Sequence, residues 1–141
     1  MKNVFLSLIL CLSLIVVSCS ELGQPKEKLL IGEWQLETIE SYDKNGNLTG
    51  TSIGSSNEDR LYGVKFTDAV MFVFYDYEDE MFQYTFDEDN QWIVSGAVIR
   101  IVTKLTKDEL VYIYDMSLYK SGEHGWDVLY FKKGKIANIS F

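Results

Sequence analysis

After Leu30, the chain consists of short runs in which apolar and polar residues alternate, separated by clusters of Gly, Asn and Asp. A period of two is typical of β-strands with one buried face, and no long stretch follows the 3.6-residue period of a helix. We therefore expect few helices. The pattern predicts nine strands, at Glu33–Glu40, Leu61–Phe66, Val70–Tyr75, Phe82–Phe86, Gln91–Ser95, Val98–Lys104, Leu110–Asp115, Trp126–Lys132 and Lys135–Phe141.

Most connections between these strands have hairpin lengths, which favours antiparallel neighbours along the chain. An open sheet of this size would expose two edges, and closure into a barrel removes them. The predicted fold class is therefore all-β, an antiparallel up-and-down meander barrel of about eight strands. One connection is long: residues 41–60 are almost without apolar residues, which predicts either a mobile loop or a lid.

Alternation also assigns side chains to faces of the sheet. Three sets each share one side of their strand: Phe82, Tyr84 and Phe86; Leu110, Tyr112 and Tyr114; Trp126, Val128 and Tyr130. The run Val70–Tyr75 is apolar on both sides, so we expect that strand to be covered outside the barrel as well as inside.

The first residues have a separate character. Lys2 precedes an apolar stretch over residues 4–17, which ends on small residues before Cys19. This order predicts a lipoprotein signal peptide over residues 1–18 and lipidation of Cys19. The alternative, a transmembrane anchor, would need about 20 apolar residues. Residues 19–28 are polar and predict a tether, with a short helical turn over Pro25–Leu30 because proline suits a first helical position. The barrel domain is then expected over residues 29–141.

The charge and cysteine content of the chain restrict the molecules that it is expected to bind. Without residues 1–18 the chain has twelve Lys and Arg against 21 Asp and Glu, a formal net charge of −9. So acidic a protein is not expected to bind nucleic acid, and its membrane attachment should come from the lipid. Ser20 follows the lipidated cysteine where no aspartate stands, which favours the outer membrane. Cys11 leaves with the signal peptide, so the folded domain is expected to hold no free thiol.

Three segments resemble the lipocalin-like domain of small lipoproteins from Gram-negative bacteria: Leu29–Leu36, Tyr84–Trp92 and Ile101–Val111. The resemblance implies that Gly32-x-Trp34 opens the first strand, that the Trp34 ring lies across the closed end of the barrel, and that the long first loop covers the mouth. It also implies one small hydrophobic ligand inside. Near the end of the chain stand Lys132, Lys133 and Lys135, where lipocalins present an arginine over the tryptophan.

Candidate chemistry is sparse. His124 is the only histidine and lies in a predicted loop, which favours neither a catalytic triad nor a zinc site. The acidic clusters at residues 76–80 and 87–89 lack the spacing of a calcium loop and are interpreted as solvated turns. We therefore predict a protein that is not an enzyme, with no metal and no cofactor.

Arg100 has two interpretations. Inside the barrel, its planar guanidinium would bind a ligand carboxylate or phosphate; otherwise it points outward or pairs with an acid on a neighbouring strand. The aromatic residues likewise either line a pocket or fill the core. The residues assigned to a ligand site in the barrel interior are Tyr84, Arg100, Tyr112, Tyr114 and Trp126.

Two functions follow. In the first, the lipid-anchored barrel carries or senses a small hydrophobic or amphipathic ligand. In the second, the barrel is filled by its own side chains, and its loops or outer face contact a protein or a glycan. A solid interior would favour the second function.

Overall fold

The computed structural model describes residues 25–56, 60–115 and 124–136. Within these ranges, one short helix is followed by ten strands, with a 3₁₀ turn at Gly54–Ser56 after the second strand. The elements are α1 (Lys26–Leu30), β1 (Gly32–Asp43), β2 (Leu48–Ile53), β3 (Leu61–Phe66), β4 (Val70–Tyr75), β5 (Asp79–Gln83), β6 (Thr85–Asp87), β7 (Trp92–Ser95), β8 (Val98–Leu105), β9 (Glu109–Asp115) and β10 (His124–Lys133).

Nine of these strands form a nearly closed barrel, in the order β5-β4-β3-β1-β10-β9-β8-β7-β6. All neighbours are antiparallel, and the first strand pairs with the last, with Trp34 opposite Lys133. The seam lies where β5 passes into β6 at Tyr84, since β5 pairs with β4 while β6 pairs with β7. The prediction of an antiparallel up-and-down meander barrel is confirmed.

The long polar connection after β1 was predicted as a loop, and much of it is a hairpin instead. β1 continues to Asp43, and β2 pairs antiparallel with its second half. The Asp43 carboxylate accepts hydrogen bonds from the N–H groups of Asn45 and Asn47, both at 2.8 Å, and from the Asn47 side-chain amide at 2.9 Å. This turn explains how a strand forms with few apolar residues: β2 is mostly exposed and is held by the turn and by its ladder to β1.

Three further predictions can be compared with the structure, near the ends of the described chain and at the seam. The predicted strand Phe82–Phe86 is interrupted at Tyr84. In the predicted strand Lys135–Phe141, the first two residues are not extended in a ladder, and residues 137–141 lie outside the described residues. The helix Lys26–Leu30 occupies part of the predicted tether, at the predicted helical turn. The predicted signal peptide and Cys19 also lie outside the described residues.

The barrel interior holds one continuous hydrophobic core, whose largest fully buried side chains include Trp34, Phe66, Phe131 and Met71. Along β4 the alternation places Met71 and Val73 inside, whereas Phe74 is buried on the outer face, as the doubly apolar run predicts. Within the described ranges, no helix is long and apolar enough to cross a membrane.

Candidate functional site

One end of the barrel is closed around Trp34. Its ring is fully buried, and Nε1 donates a hydrogen bond to the Leu30 carbonyl oxygen at 2.7 Å. The Lys133 ammonium lies 4.2 Å from the centroid of the same ring and donates to the carbonyl oxygens of Leu29, at 3.1 Å, and of Ile31. Burial lowers the pKa of Lys133. These contacts fasten α1 and the chain after it over the end of the barrel.

Gly32 is part of the same closure. Its φ of +125° is a conformation that other residues rarely adopt, and a Cβ there would lie 2.8 Å from Cε and Nζ of Lys133. Gly32 is thus the first residue of β1, and Trp34 is buried at the end of the barrel that α1 covers. Lys133 lies over the Trp34 ring, where the resemblance implied an arginine. In the sequence this lysine was visible only as a difference from the lipocalin pattern.

The opposite end of the barrel holds a small interior cavity of about 50 Å³. Its lining combines aliphatic side chains with a cluster of phenols and two charged groups. The lining residues are Ile39, Leu61, Met71, Val73, Tyr75, Arg100, Tyr112, Tyr114, Asp127 and Leu129.

Arg100 is the central polar group of this cavity, and only 7% of its surface is exposed. It donates a hydrogen bond to Ser95 Oγ at 2.8 Å, and its guanidinium carbon lies 5.2 Å from the Tyr114 ring centroid. Among residues 25–56, 60–115 and 124–136, no carboxylate forms an ion pair with Arg100. Asp127, 8% exposed, lines the same cavity. Arg100 therefore points into the barrel, and its binding of a ligand stays a prediction.

The phenols beside Arg100 are held in their neutral form. Burial raises the pKa of Tyr112 to about 12, although the charge and hydrogen bonding of Arg100 act to lower it. Burial also raises the pKa of Tyr75, again against the charge of Arg100. The Tyr112 ring packs on Phe131 with 5.1 Å between ring centroids. The cavity therefore offers phenol hydroxyls, the Arg100 guanidinium and the Asp127 side chain to any bound group.

Tyr84, also assigned to the ligand site, lies away from this cavity. Its ring meets Phe66 edge-on at 5.2 Å, and its hydroxyl donates a hydrogen bond to the Thr67 carbonyl oxygen at 2.6 Å. Burial raises its pKa to about 12. Because the hydroxyl is bonded to the main chain, Tyr84 fastens the seam and the core instead of facing the cavity.

Trp126 was predicted to line the interior, and this prediction is wrong. The inward side chains of β10 are Asp127, Leu129 and Phe131, so Trp126 faces outside. There it stacks on Tyr42, with ring centroids 5.7 Å apart and planes within 11°. Both sides of β10 carry large apolar residues, so the period of two alone could not decide which side was buried.

Metal binding and histidine chemistry were the other possibilities weighed from the sequence. Within the described ranges, no group of three His, Cys, Asp or Glu side chains is placed to hold a metal ion. His124, predicted in a loop, is the first residue of β10.

Comparisons with protein-family models, with curated proteins and with solved structures find no match to this chain. The strand order and pairing define the fold class, a nearly closed antiparallel β-barrel. The lipocalin-like resemblance stays a prediction.

Proposed function

We propose that this chain is a lipid-anchored, non-catalytic protein of the bacterial cell envelope, related to the lipocalin-like lipoproteins. In this proposal the barrel is a filled scaffold, and the protein acts through contacts of its loops and outer face with another protein or a glycan.

The observation that carries the proposal is the size of the interior cavity. About 50 Å³ is room for one or two water molecules, whereas pockets for drug-sized ligands measure about 300–1,000 Å³. Trp34, Phe66, Met71 and Phe131 occupy the space that a lipid chain would need. A barrel of this size can be filled by its own side chains.

The outer face supplies the contact surface that this function needs. Apolar side chains are exposed on β2, at Leu48 and Ile53, and on β8, at Ile99 and Ile101. The two pairs lie on separate strands, and each is a candidate contact surface, because exposed apolar patches are typical of sites that bind other molecules. The described lining of the cavity contains no histidine, which supports a role other than acid–base chemistry at neutral pH.

A second candidate function is specific binding of a small anion at Arg100. The supporting observation is that this buried guanidinium forms no ion pair with a described carboxylate. A buried charge is normally compensated, and a carboxylate ligand would fit its planar donors. The cavity volume restricts such a ligand to a few atoms, on the scale of formate or acetate.

Native mass spectrometry of the chain purified from membranes tests the filled scaffold against a carrier of lipid. The filled scaffold predicts the mass of the lipidated polypeptide alone. An added mass of lipid size, present at one copy per chain and lost on denaturation, would contradict it. Titration with acetate, followed by NMR shifts of the Arg100 side chain, tests the second candidate; a matched titration of an Arg100→Met variant should show no saturable shift.

The anchor is tested separately. Replacing Cys19 with Ala should move the protein from the membrane fraction to the soluble fraction, whereas Cys11→Ala, within the predicted signal peptide, should leave the mature protein in membranes. Equal membrane partition of both variants would refute lipidation at Cys19.

A further inference from the structure

The outer face of β3, β4 and β5 carries an apolar groove of about 320 Å³. Its floor is formed by Phe72 and Phe74, whose rings are stacked 6.4 Å apart, and by Met81, which is 68% exposed. Lys65 lies on one side of the groove, and Asp79 and Glu80 lie on the other. The cross-strand register explains the arrangement, because Lys65 pairs with Phe72, and Phe72 pairs with Met81.

The chain itself leads to the edge of this groove. After β10, the Gly134 N–H donates a hydrogen bond to the Glu33 carbonyl oxygen at 3.0 Å, which turns the chain onto the outside of the barrel. Ile136, the last described residue, is only 7% exposed. It lies over Gly63, where a Cβ would be 3.0 and 3.1 Å from Cγ1 and Cδ1 of Ile136. Gly63 pairs directly with Phe74.

The sequence that follows Ile136 has the chemistry of the groove. Residues 137–141 read Ala-Asn-Ile-Ser-Phe, without a charged side chain and with two large apolar residues, Ile139 and Phe141. Five residues reach up to about 17 Å, whereas the distance from β3 across β4 to β5 is about 10 Å. The segment is therefore long enough to cross the groove from its starting point over β3.

We propose that residues 137–141 occupy this groove, with Ile139 and Phe141 against the rings of Phe72 and Phe74 beside Met81. Ile136 is then the first residue of a strap that covers the outer apolar face of β4. The large apolar side chains on that face have a partner within the same chain. This inference is independent of the proposed function, since it concerns a contact of the chain with itself.

Photo-crosslinking of the full chain tests the strap. Phe141 is replaced by p-benzoylphenylalanine, which reacts on illumination with nearby C–H bonds, and the linked peptides are identified by mass spectrometry. The strap predicts a link from residue 141 to the β4–β5 hairpin, between Val70 and Gln83. A matched control places the same group at Ile101, on the outer face of β8, and should give no link to that hairpin.

An equal mixture of ¹⁴N-labelled and ¹⁵N-labelled chains distinguishes the occupants. Links within one isotope only support the strap. Mixed-isotope links would show that a second copy fills the groove, and links to another protein would show a separate partner; either result overturns the proposal, as does the absence of any link to β4–β5.

A second measurement leaves the aromatic residues of the groove intact. Because the strap covers Met81, the variant Phe141→Ser should increase the rate of Met81 oxidation by dilute peroxide severalfold over the unmodified chain. The buried Met71 serves as the internal control and should stay unreactive in both proteins. An unchanged Met81 rate would contradict the strap.

Discussion

The contact between Lys133 and the closed end of the barrel should contribute measurably to the free energy of unfolding. In the variant Lys133→Met, the side chain keeps its apolar stem over the Trp34 ring and loses the ammonium. The carbonyl oxygens of Leu29 and Ile31 then lose a charged donor. Leu29 lies in α1 and Ile31 joins α1 to β1, so the effect should be a weaker closure.

The size of the loss follows from three contributions. Hydrogen bonds from a charged donor contribute about 1.5–3 kcal/mol each, and a partly desolvated cation–π contact contributes about 1–2 kcal/mol. Removal of the ammonium also relieves the desolvation that lowers the pKa of the half-buried Lys133, which offsets part of this loss. We therefore expect the free energy of unfolding to fall by about 2–3 kcal/mol.

Urea unfolding, followed by tryptophan fluorescence, measures this change. The matched control is Lys132→Met, because Lys132 is the preceding residue of β10 and is exposed. The control should stay within about 0.5 kcal/mol of the unmodified protein, as is usual for surface substitutions. A Lys133→Met variant as stable as the control would refute the argument that this lysine fastens the closed end.

Three further predictions follow from single contacts. Gly63→Ala should lower the free energy of unfolding by at least about 3 kcal/mol, because its Cβ would lie 2.3 Å from a main-chain oxygen of β1. The control Gly50→Ala, with open space around it, should change the free energy of unfolding by less than about 1 kcal/mol. Urea unfolding measures both. Arg100→Met should raise the pKa of Tyr112 above its value of about 12, because the guanidinium lowers this pKa. Phenolate absorbance during an alkaline titration measures it, and a lower or unchanged pKa would contradict the prediction. The Asn47 side-chain amide and the N–H groups of the β1–β2 turn lower the pKa of Asp43. The contribution of Asp43 to stability is therefore present above the ordinary carboxyl pKa and is lost as the pH falls through the lowered value. NMR shifts of the turn should follow this loss, and Asp43→Asn should abolish their pH dependence.

Much of the fold could be predicted because the barrel strands alternate clearly. β3 and β4 begin and end where the pattern placed them, at Leu61–Phe66 and Val70–Tyr75. β2 was missed because an exposed strand carries no apolar signal. The remaining signal was local: the turn sequence Asp-Lys-Asn-Gly-Asn at residues 43–47, then threonines at positions 49 and 51.

The candidate site was predicted only in part, for a physical reason in each case. Arg100, Tyr112 and Tyr114 do meet in the cavity, because β8 and β9 are neighbours and Arg100 pairs with Tyr114. The direction of Arg100 was left open by the sequence, since β8 carries apolar residues on both faces. Trp126 was assigned inside because it is large and aromatic, whereas the inward position next to it is Asp127. An acid inside a barrel contradicts ordinary burial preferences, so only the three-dimensional register could reveal it.

The central claim, that the barrel is a filled scaffold, is tested most directly by titrating the chain with a fluorescent fatty acid. We predict no saturable increase in fluorescence up to the solubility limit of the probe, because the interior cavity lined by described residues measures about 50 Å³. A saturable one-to-one binding curve, displaced by an unlabelled fatty acid and abolished when Leu129 is replaced by Trp to close the cavity, would contradict the claim.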